Sequence, residues 1–377
     1  MPDRLARWRL VLGQEAESEL GVELGPQAAA IDRTLQALYD SDRSGRLGAS
    51  SPSVARWLGD IRSYFPSSVV QVLQRDALDR LGLRQMLLEP ELLEQVEPDV
   101  HLVASLVSLG SVIPARTRET ARQVVRKVVG DLEKHLRGPM QQAVRGALQR
   151  VQRTSRPRPN EIDWDRTIRK NLRHYSREHQ AIIAERVVGF ARRRSALRDI
   201  VLCIDQSGSM ASSVVYASIF GAVLASLRSV STRFVLFDTA VVDRSHELRD
   251  PVELLFGTQL GGGTDIQRAL AYCQSIITRP AQTILVLISD LYEGGDAREL
   301  LERAAALKQS GVHVVCLLAL DDQGAPAHDP DHARALANLG IPAFACTPDL
   351  FPELMAAAIS KQDLAIWAAR HEIVAAR

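Results

Sequence analysis

Cysteine is scarce in this chain: Cys203, Cys273, Cys316 and Cys346 are four in 377 residues, and none stand in C-x-x-C spacing. Buried free thiols in a reducing compartment are the simplest account of all four. Charge of one sign is not in excess either, with 46 Lys and Arg against 45 Asp and Glu and a net charge of +1. Long hydrophobic runs are missing. The longest apolar stretch, Val214 to Leu227, carries Ser218 and Ser226 and is shorter than the roughly 20 residues of a membrane span. Met1 to Gln14 has Arg4, Arg7 and Arg9 but only Leu10-Val11-Leu12 after them, which does not make a signal peptide. These absences set the expectation of a cytoplasmic protein without a membrane partner. Gly261-Gly262-Gly263-Thr264-Asp265 lacks the Gly-Lys-Ser/Thr ending of a nucleotide cradle, so any ATPase activity must come from another protein. Gln206 to Met210 lacks the glycines of a nucleophile elbow, which removes the usual serine-hydrolase motif.

What is present is an ordinary globular composition, 46% hydrophobic and 24% charged, on a length that accommodates about two domains. Residues 1–155 read as an α-helical domain. Ile31, Leu35 and Leu38 recur at helical spacing, and the Leu-rich Leu81 to Val96 is broken at Pro90. Arg116 to Leu136 places Val125, Val128, Leu132 and Leu136 on one stripe, which Gly138-Pro139 interrupts before Ala143, Ala147 and Val151 resume it. Arg153 to Pro159 has the composition of a linker, and 156–197 is taken as a basic connecting segment. From Arg116 to Arg198 there are 22 Lys or Arg against 8 Asp or Glu. A nucleic-acid face is one use of such a surplus, and a solvated helix face or an acidic partner is the other. Aromatic residues are sparse there (Trp164, Tyr175, Phe190), so stacking on single strands has little support. Asp163 to His174 reads as helix and Glu185 to Ala191 as strand.

From residue 198 to 377 the pattern changes to alternating strands and helices. Strand-like runs are Ile200–Asp205, Arg233–Val242, Thr283–Asp290, Val312–Leu320 and Pro342–Cys346. Between and after them lie helical segments at Ser212–Ser229 with Ser212 or Ser213 as N-cap, Asp265–Ile277, Ala297–Gln309, Asp331–Asn338 and Leu350–Ser360. Val/Ile/Leu-rich strands separated by helices indicate a doubly wound α/β domain with a mainly parallel sheet covered on both faces.

The chemistry concentrates at the strand ends. Ile200 to Ile204 runs straight into Asp205, Ser207 and Ser209; Thr264 sits in a glycine-rich loop before a helix; Asp290 ends another apolar strand. In open parallel sheets such ends converge on one edge, so Asp205, Ser207, Ser209, Thr264 and Asp290 can share it. Two carboxylates held close repel unless a cation or proton intervenes, and an all-oxygen donor set suits a hard ion such as Mg²⁺. The order Asp-x-Ser-x-Ser, glycine-rich loop with Thr, strand-ending Asp resembles the metal-ion-dependent adhesion site (MIDAS) of von Willebrand factor type A (VWA) domains over roughly Asp199 to Ser360. The resemblance implies a VWA domain over 198–377. It also implies that Asp205, Ser207, Ser209 and Thr264 hold Mg²⁺ or Mn²⁺, that Asp290 acts directly or through water, and that an acidic side chain of a protein client completes the shell.

The whole chain is also similar to bacterial CoxE-like VWA proteins, through Trp8-Arg9-Leu10-Val11-Leu12-Gly13, Asp163-Trp164, the Arg192 to Arg194 run and Asp290-Leu291-Tyr292-Glu293-Gly294-Gly295. That similarity implies pairing with a MoxR-type AAA+ ATPase in the remodelling or maturation of client proteins. The expectation is a non-enzymatic, metal-dependent adaptor. An RNA-binding VWA protein and a metal-dependent hydrolase stand as alternatives, the latter needing a general base that no nearby His supplies. Further readings are a solvated loop for His328 and His332, with Pro330 between them, and a docking rim shaped by Tyr292 and Glu293. Asp321-Asp322 at the same sheet edge is read as a helix-approach loop, with a rim contact to the partner as the alternative, and Trp367 as helix packing.

Overall fold

Apolar stripes at helical spacing dictate the first part of the chain. The computed structural model describes residues 8–10, 21, 24–39, 51–80, 87–88, 90–94, 96–110, 112–151, 153–154, 159, 162–190, 198–258, 261–321 and 327–373. It divides into two units, Met1–Val128 and Val129–Arg377.

In the first unit, helices α1 (Pro26–Tyr39), α2 (Ser51–Tyr64), α3 (Ser67–Arg80), α4 (Pro90–Leu93) and α5 (Val100–Ser108) account for most of the described backbone. Trp57, Leu58 and Ile61 of α2, Val70 and Leu73 of α3, and Leu102, Val103 and Leu106 of α5 are buried. Asp99 caps α5 by accepting from Leu102 N at 2.7 Å, and Trp57 Nε1 donates to Thr34 O at 3.0 Å. Arg9 has a structural use: it is buried and pairs with Asp32 through both terminal nitrogens, at 3.2 and 3.4 Å. Pro90 opens α4 rather than only breaking what precedes it, as the missing N–H costs nothing in a first turn. Val11 to Gly13 and Leu81 to Met86 lie outside the described residues.

Gly138-Pro139 does not interrupt the long helix. Helix α6 runs unbroken over Ala115–Val151 with Pro139 inside it. Gly138 and Pro139 face solvent, while Leu136, Met140, Val144 and Ala147 are buried on the opposite stripe. The burial of that stripe offsets the one hydrogen bond a proline removes.

In the second unit, β1 (Arg153–Thr154) pairs antiparallel with β4 (Gly189–Phe190), and β2 (Tyr175–Ser176) with β3 (Ala181–Ile182). The segment read as a linker therefore begins as a strand. Of the strand read over Glu185 to Ala191, only Gly189 and Phe190 belong to one; Ala191 and the Arg192 to Arg194 run lie outside the described residues. Helix α7 (Trp164–Asn171), capped by Asp163 and extended by a 3-10 turn over Leu172–His174, matches the helical reading.

The main sheet has the order β10-β9-β8-β5-β6-β7 among the described residues. Its strands are β5 (Arg198–Asp205), β6 (Val230–Phe237), β7 (Val241–Asp243), β8 (Thr283–Ile288), β9 (His313–Leu320) and β10 (Ala343–Cys346). All neighbours are parallel except the β6–β7 edge pair. The run read as one strand over Arg233–Val242 is thus a hairpin, turned where Asp238 Oδ1 accepts from Ala240 N at 2.6 Å. Helices α8 (Ala211–Ala225), α9 (Pro251–Phe256), α10 (Ile266–Ile276), α11 (Ala297–Gln309), α12 (Pro330–Asn338), α13 (Phe351–Ile359) and α14 (Leu364–Arg370) complete the unit.

Helix α8 with its preceding turn, Gly208–Ala225, is apolar enough by length and composition to cross a membrane, and two thirds of that run is buried within the fold. It begins after Met210, not at a serine cap; Ser213 instead accepts from Leu320 N at 3.0 Å, fastening the helix to β9. All four cysteines are buried and free, as their scarcity and spacing led us to expect.

Gly221 lets α8 lie close to the sheet: a Cβ there would stand 2.8 Å from Leu248 Cδ2 and 3.0 Å from Phe234 Cδ2. Both neighbours are buried. Gly221→Ala is therefore expected to lower unfolding stability by about 1–3 kcal/mol through overpacking, against a helix-propensity gain of at most about 1 kcal/mol. Chemical denaturation of the two proteins measures which effect wins.

Candidate functional site

In the order β10-β9-β8-β5-β6-β7, the chain proceeds from β5 to β6 on one side and returns to β8 on the other. The carboxyl end of β5 therefore lies where the strand order reverses, the place where ligands collect in open α/β sheets. Asp205 is its last residue and is fully buried. Ser207 N donates to Asp205 Oδ1 at 2.8 Å, and Ser289 Oγ donates to Asp205 Oδ2 at 2.8 Å. Asp290, also buried, lies two residues beyond the end of β8, and its Oδ2 accepts from Ser209 Oγ at 2.6 Å. Ser207 Oγ and Ser209 Oγ are 3.3 Å apart. Four of the five residues singled out from the sequence are thus joined by direct hydrogen bonds.

Thr264 is buried beside them, reached through backbone contacts. Gly261 N donates to Gln206 O at 3.0 Å, Asp265 N to Asp238 O at 2.9 Å, and Gly294 N to Thr264 O at 2.7 Å. The glycine-rich loop is therefore held between the Asp205 loop and the Asp290 loop. Gly261 and Gly262 have φ of 117° and 113°, backbone that L side chains rarely adopt. The remaining residues are open to solvent at Gly208, Ser209 and Gly261 to Gly263.

Burial dominates the electrostatics. Desolvation pushes the Asp205 carboxyl up to about 6, the Ser207 and Ser289 hydrogen bonds pull the other way, and the negative charge of Asp290 adds to the rise. Among the described residues no Lys, Arg or His pairs with either carboxylate, and no group of three or more His, Cys, Asp or Glu side chains gathers. The donor set is two carboxylates with hydroxyls, which matches hard cations rather than those favouring sulfur or imidazole.

Several contributors were not singled out in advance. Ser289, directly before Asp290, donates to Asp205 and accepts from Leu291 N at 3.1 Å; its only sequence signal is a hydroxyl in the strand-ending Ile-Ser-Asp. Leu291 is buried at φ 64°, a costly conformation for a leucine. Contacts on either side fix it, since its carbonyl accepts from His332 Nδ1 at 3.0 Å. His332 is accordingly no solvated-loop residue: Pro330 starts α12 under the Asp329 cap, and this places the imidazole against the Leu291 turn. Asp329 N donates to Asp290 O at 2.9 Å.

Tyr292 is exposed, as a rim residue would be, but Glu293 turns inward. Glu293 Oε2 accepts from Ile266 N at 2.9 Å and Gln267 N at 3.2 Å, capping α10 beside Asp265. Asp321 N donates to Cys346 O at 3.3 Å, while Asp322 lies outside the described residues. Trp367 packs its ring 6.0 Å from Phe344 and 4.6 Å from His371.

Two outcomes follow from this geometry. A folded Asp205 that titrates near 6, against 3.8 for an ordinary aspartate, contributes stability that is present below pH 3.8 and is lost as pH rises through 6. In EDTA, denaturation at pH 7.5 is expected to show less stability than Asp205→Asn by up to about 3 kcal/mol, the gap closing toward acid pH. For Gly294→Ala, a Cβ would meet Thr264 O at 2.8 Å, a backbone atom that cannot swing away. That substitution is expected to separate the two loops, which hydrogen exchange at the Gly294 amide would register.

A sequence model described as "VWA domain containing CoxE-like protein" matches residues 136–355. YehP of Escherichia coli (strain K12), whose description is "uncharacterized protein", is 36% identical over 354 residues, covering 91% of this chain and 93% of YehP. Among solved structures, an aerotolerance-related membrane protein from Bacteroides fragilis NCTC 9343 aligns with TM-score 0.36 and 15% identity, over 44% of this chain and all of that one. A von Willebrand factor type A protein from Catenulispora acidiphila aligns with TM-score 0.34 and 17% identity, over 47% of this chain and 45% of that one. With the family model matching more than half of its length, the chain belongs to the CoxE-like proteins that contain a VWA domain.

Proposed function

We propose that this protein is a non-enzymatic, metal-dependent protein-binding adaptor whose docking point is the Asp205–Asp290 edge, used as a metal-ion-dependent adhesion site. Asp205, Ser207, Ser209, Thr264 and Asp290 would hold Mg²⁺ or Mn²⁺. The observation that carries this reading is a buried Asp205 with no cationic partner among the described residues, beside a second buried carboxylate and two linked hydroxyls. A divalent ion would neutralise that pair of charges and make ionised Asp205 the stable form. Its coordination shell retains room for a ligand from outside, and an acidic side chain of a client protein has the matching charge.

Binding is favoured over hydrolysis by the surroundings of the two carboxylates. With both carboxylates committed to the ion, their described partners are hydroxyls and backbone amides, none of which serves as a general base near neutral pH. Membership of the CoxE-like family supports an adaptor. A MoxR-type AAA+ ATPase is the proposed partner that would supply the energy for remodelling clients delivered at this edge, and the cytoplasm is the proposed setting.

Affinity capture with the purified chain from native lysate, in Mg²⁺ and in EDTA, tests the proposal. An AAA+ ATPase or client recovered only in Mg²⁺, and lost with Asp205→Ala, is the expected result; the same proteins captured equally in EDTA would refute metal dependence. Metal alone is expected to raise thermal stability, by about 2.7 kcal/mol at a concentration 100 times its Kd. The gain should shrink below pH 6, where a proton competes for Asp205.

A further inference from the structure

The outward side of α7 is its apolar side. Thr167 and Asn171 are 2% and 1% exposed, whereas Trp164, Ile168 and Leu172 are 60%, 42% and 59% exposed. A surface helix normally does the reverse. The buried pair is fully hydrogen-bonded. Thr167 Oγ1 donates to Val188 O at 3.1 Å and accepts from Val188 N at 3.0 Å. Asn171 Nδ2 donates to Thr167 O and Arg186 O at 2.6 and 2.8 Å, while its Oδ1 accepts from Glu185 N and Arg186 N at 3.0 and 3.1 Å. Polar contacts to the 185–188 segment therefore set the rotation of this helix and hold its apolar ridge toward solvent.

Residues 164, 168 and 172 form an i, i+4 ridge about 12 Å long, the kind that seats in the groove of another helix. Arg166, Arg169, Lys170 and Arg173 flank it, all exposed. The acidic neighbours of the three arginines, Asp163, Asp165 and Glu185, stand at 3.9 to 4.0 Å, the outer limit of an ion pair, so the flanks keep a positive surplus. A second copy of this chain would set guanidinium against guanidinium. An anionic bilayer presents no groove for a linear ridge.

We propose that α7 is a docking ridge for an amphipathic helix of a partner protein, one whose apolar stripe is bordered by Asp and Glu. This surface uses none of the residues of the Asp205–Asp290 edge, and it gives part of the basic stretch a role. The test is calorimetric titration of the full-length chain, in EDTA, with synthetic helical peptides of about 20 residues. One peptide carries a leucine stripe with Glu flanks, a second replaces the leucines with serine, and a third replaces Glu with Lys.

The Leu/Glu peptide is expected to bind, and each replacement to weaken it about tenfold or more, as Ile168→Ser and Trp164→Ser in the chain should also do with circular dichroism unchanged. The double variant Arg169→Glu, Arg173→Glu should shift preference to the Leu/Lys peptide. Asp205→Ala should leave binding unaltered, which separates this ridge from the metal-site reading. Failure of the Leu/Glu peptide to bind, or an Ile168→Ser chain that binds it normally, would overturn the proposal. So would phosphatidylglycerol vesicles or an oligouridine binding in its place.

Discussion

The burial of one carboxylate, Asp205, at the end of the central strand is the constraint around which the second unit is arranged. Strand β5 is hydrogen-bonded to β6 on one side and β8 on the other, so the apolar run Ile200 to Ile204 is enclosed and delivers the following residue into a dry position. An ionised group there loses most of its hydration, and two hydrogen bonds from hydroxyl and amide recover only part of it. The carboxyl titrates near 6 instead of 3.8 as a result. The fold holds this group in a state that a cation would relieve, and this ties the architecture to the proposed function.

The surrounding loops keep the arrangement from relaxing. Each loop that meets the edge is bonded to the next by backbone: Gly261 to Gln206, Asp265 to Asp238, Gly294 to Thr264, Asp329 to Asp290. Glu293 adds two amide contacts across the same gap, to Ile266 N and Gln267 N, and one to Gly295 N within its own loop. Backbone hydrogen bonds of this kind fix positions without consuming the side-chain oxygens needed for a ligand, which is the requirement of a pre-organised site.

Much of this was legible in the sequence because it rests on local pattern. Unalternating Val/Ile/Leu runs separated by helical periods specified the parallel sheet, and strand-ending polar residues placed Asp205, Ser207, Ser209 and Asp290 on one edge. What escaped depends on contacts between distant segments. Pro139 signalled a break that the buried stripe through Leu136, Met140 and Val144 overrides. Ser213 resembled a helix cap, yet its partner is Leu320 N, 107 positions away. His332 read as a loop residue because Pro330 was taken as a breaker instead of a helix start. Glu293 looked like a rim because nothing local reveals that it reaches back to the start of α10. The inverted face of α7 was hidden for the same reason, since Thr167 and Asn171 find their partners between Glu185 and Val188.

The most direct test of the central claim is a titration of the metal-free chain with Mn²⁺, followed by electron paramagnetic resonance of the free ion. The account predicts one bound Mn²⁺ per chain that Mg²⁺ displaces, no such binding in Asp205→Ala, and weakened binding below pH 6. Mn²⁺ bound equally well by Asp205→Ala, or not bound by the native chain at all, would contradict it.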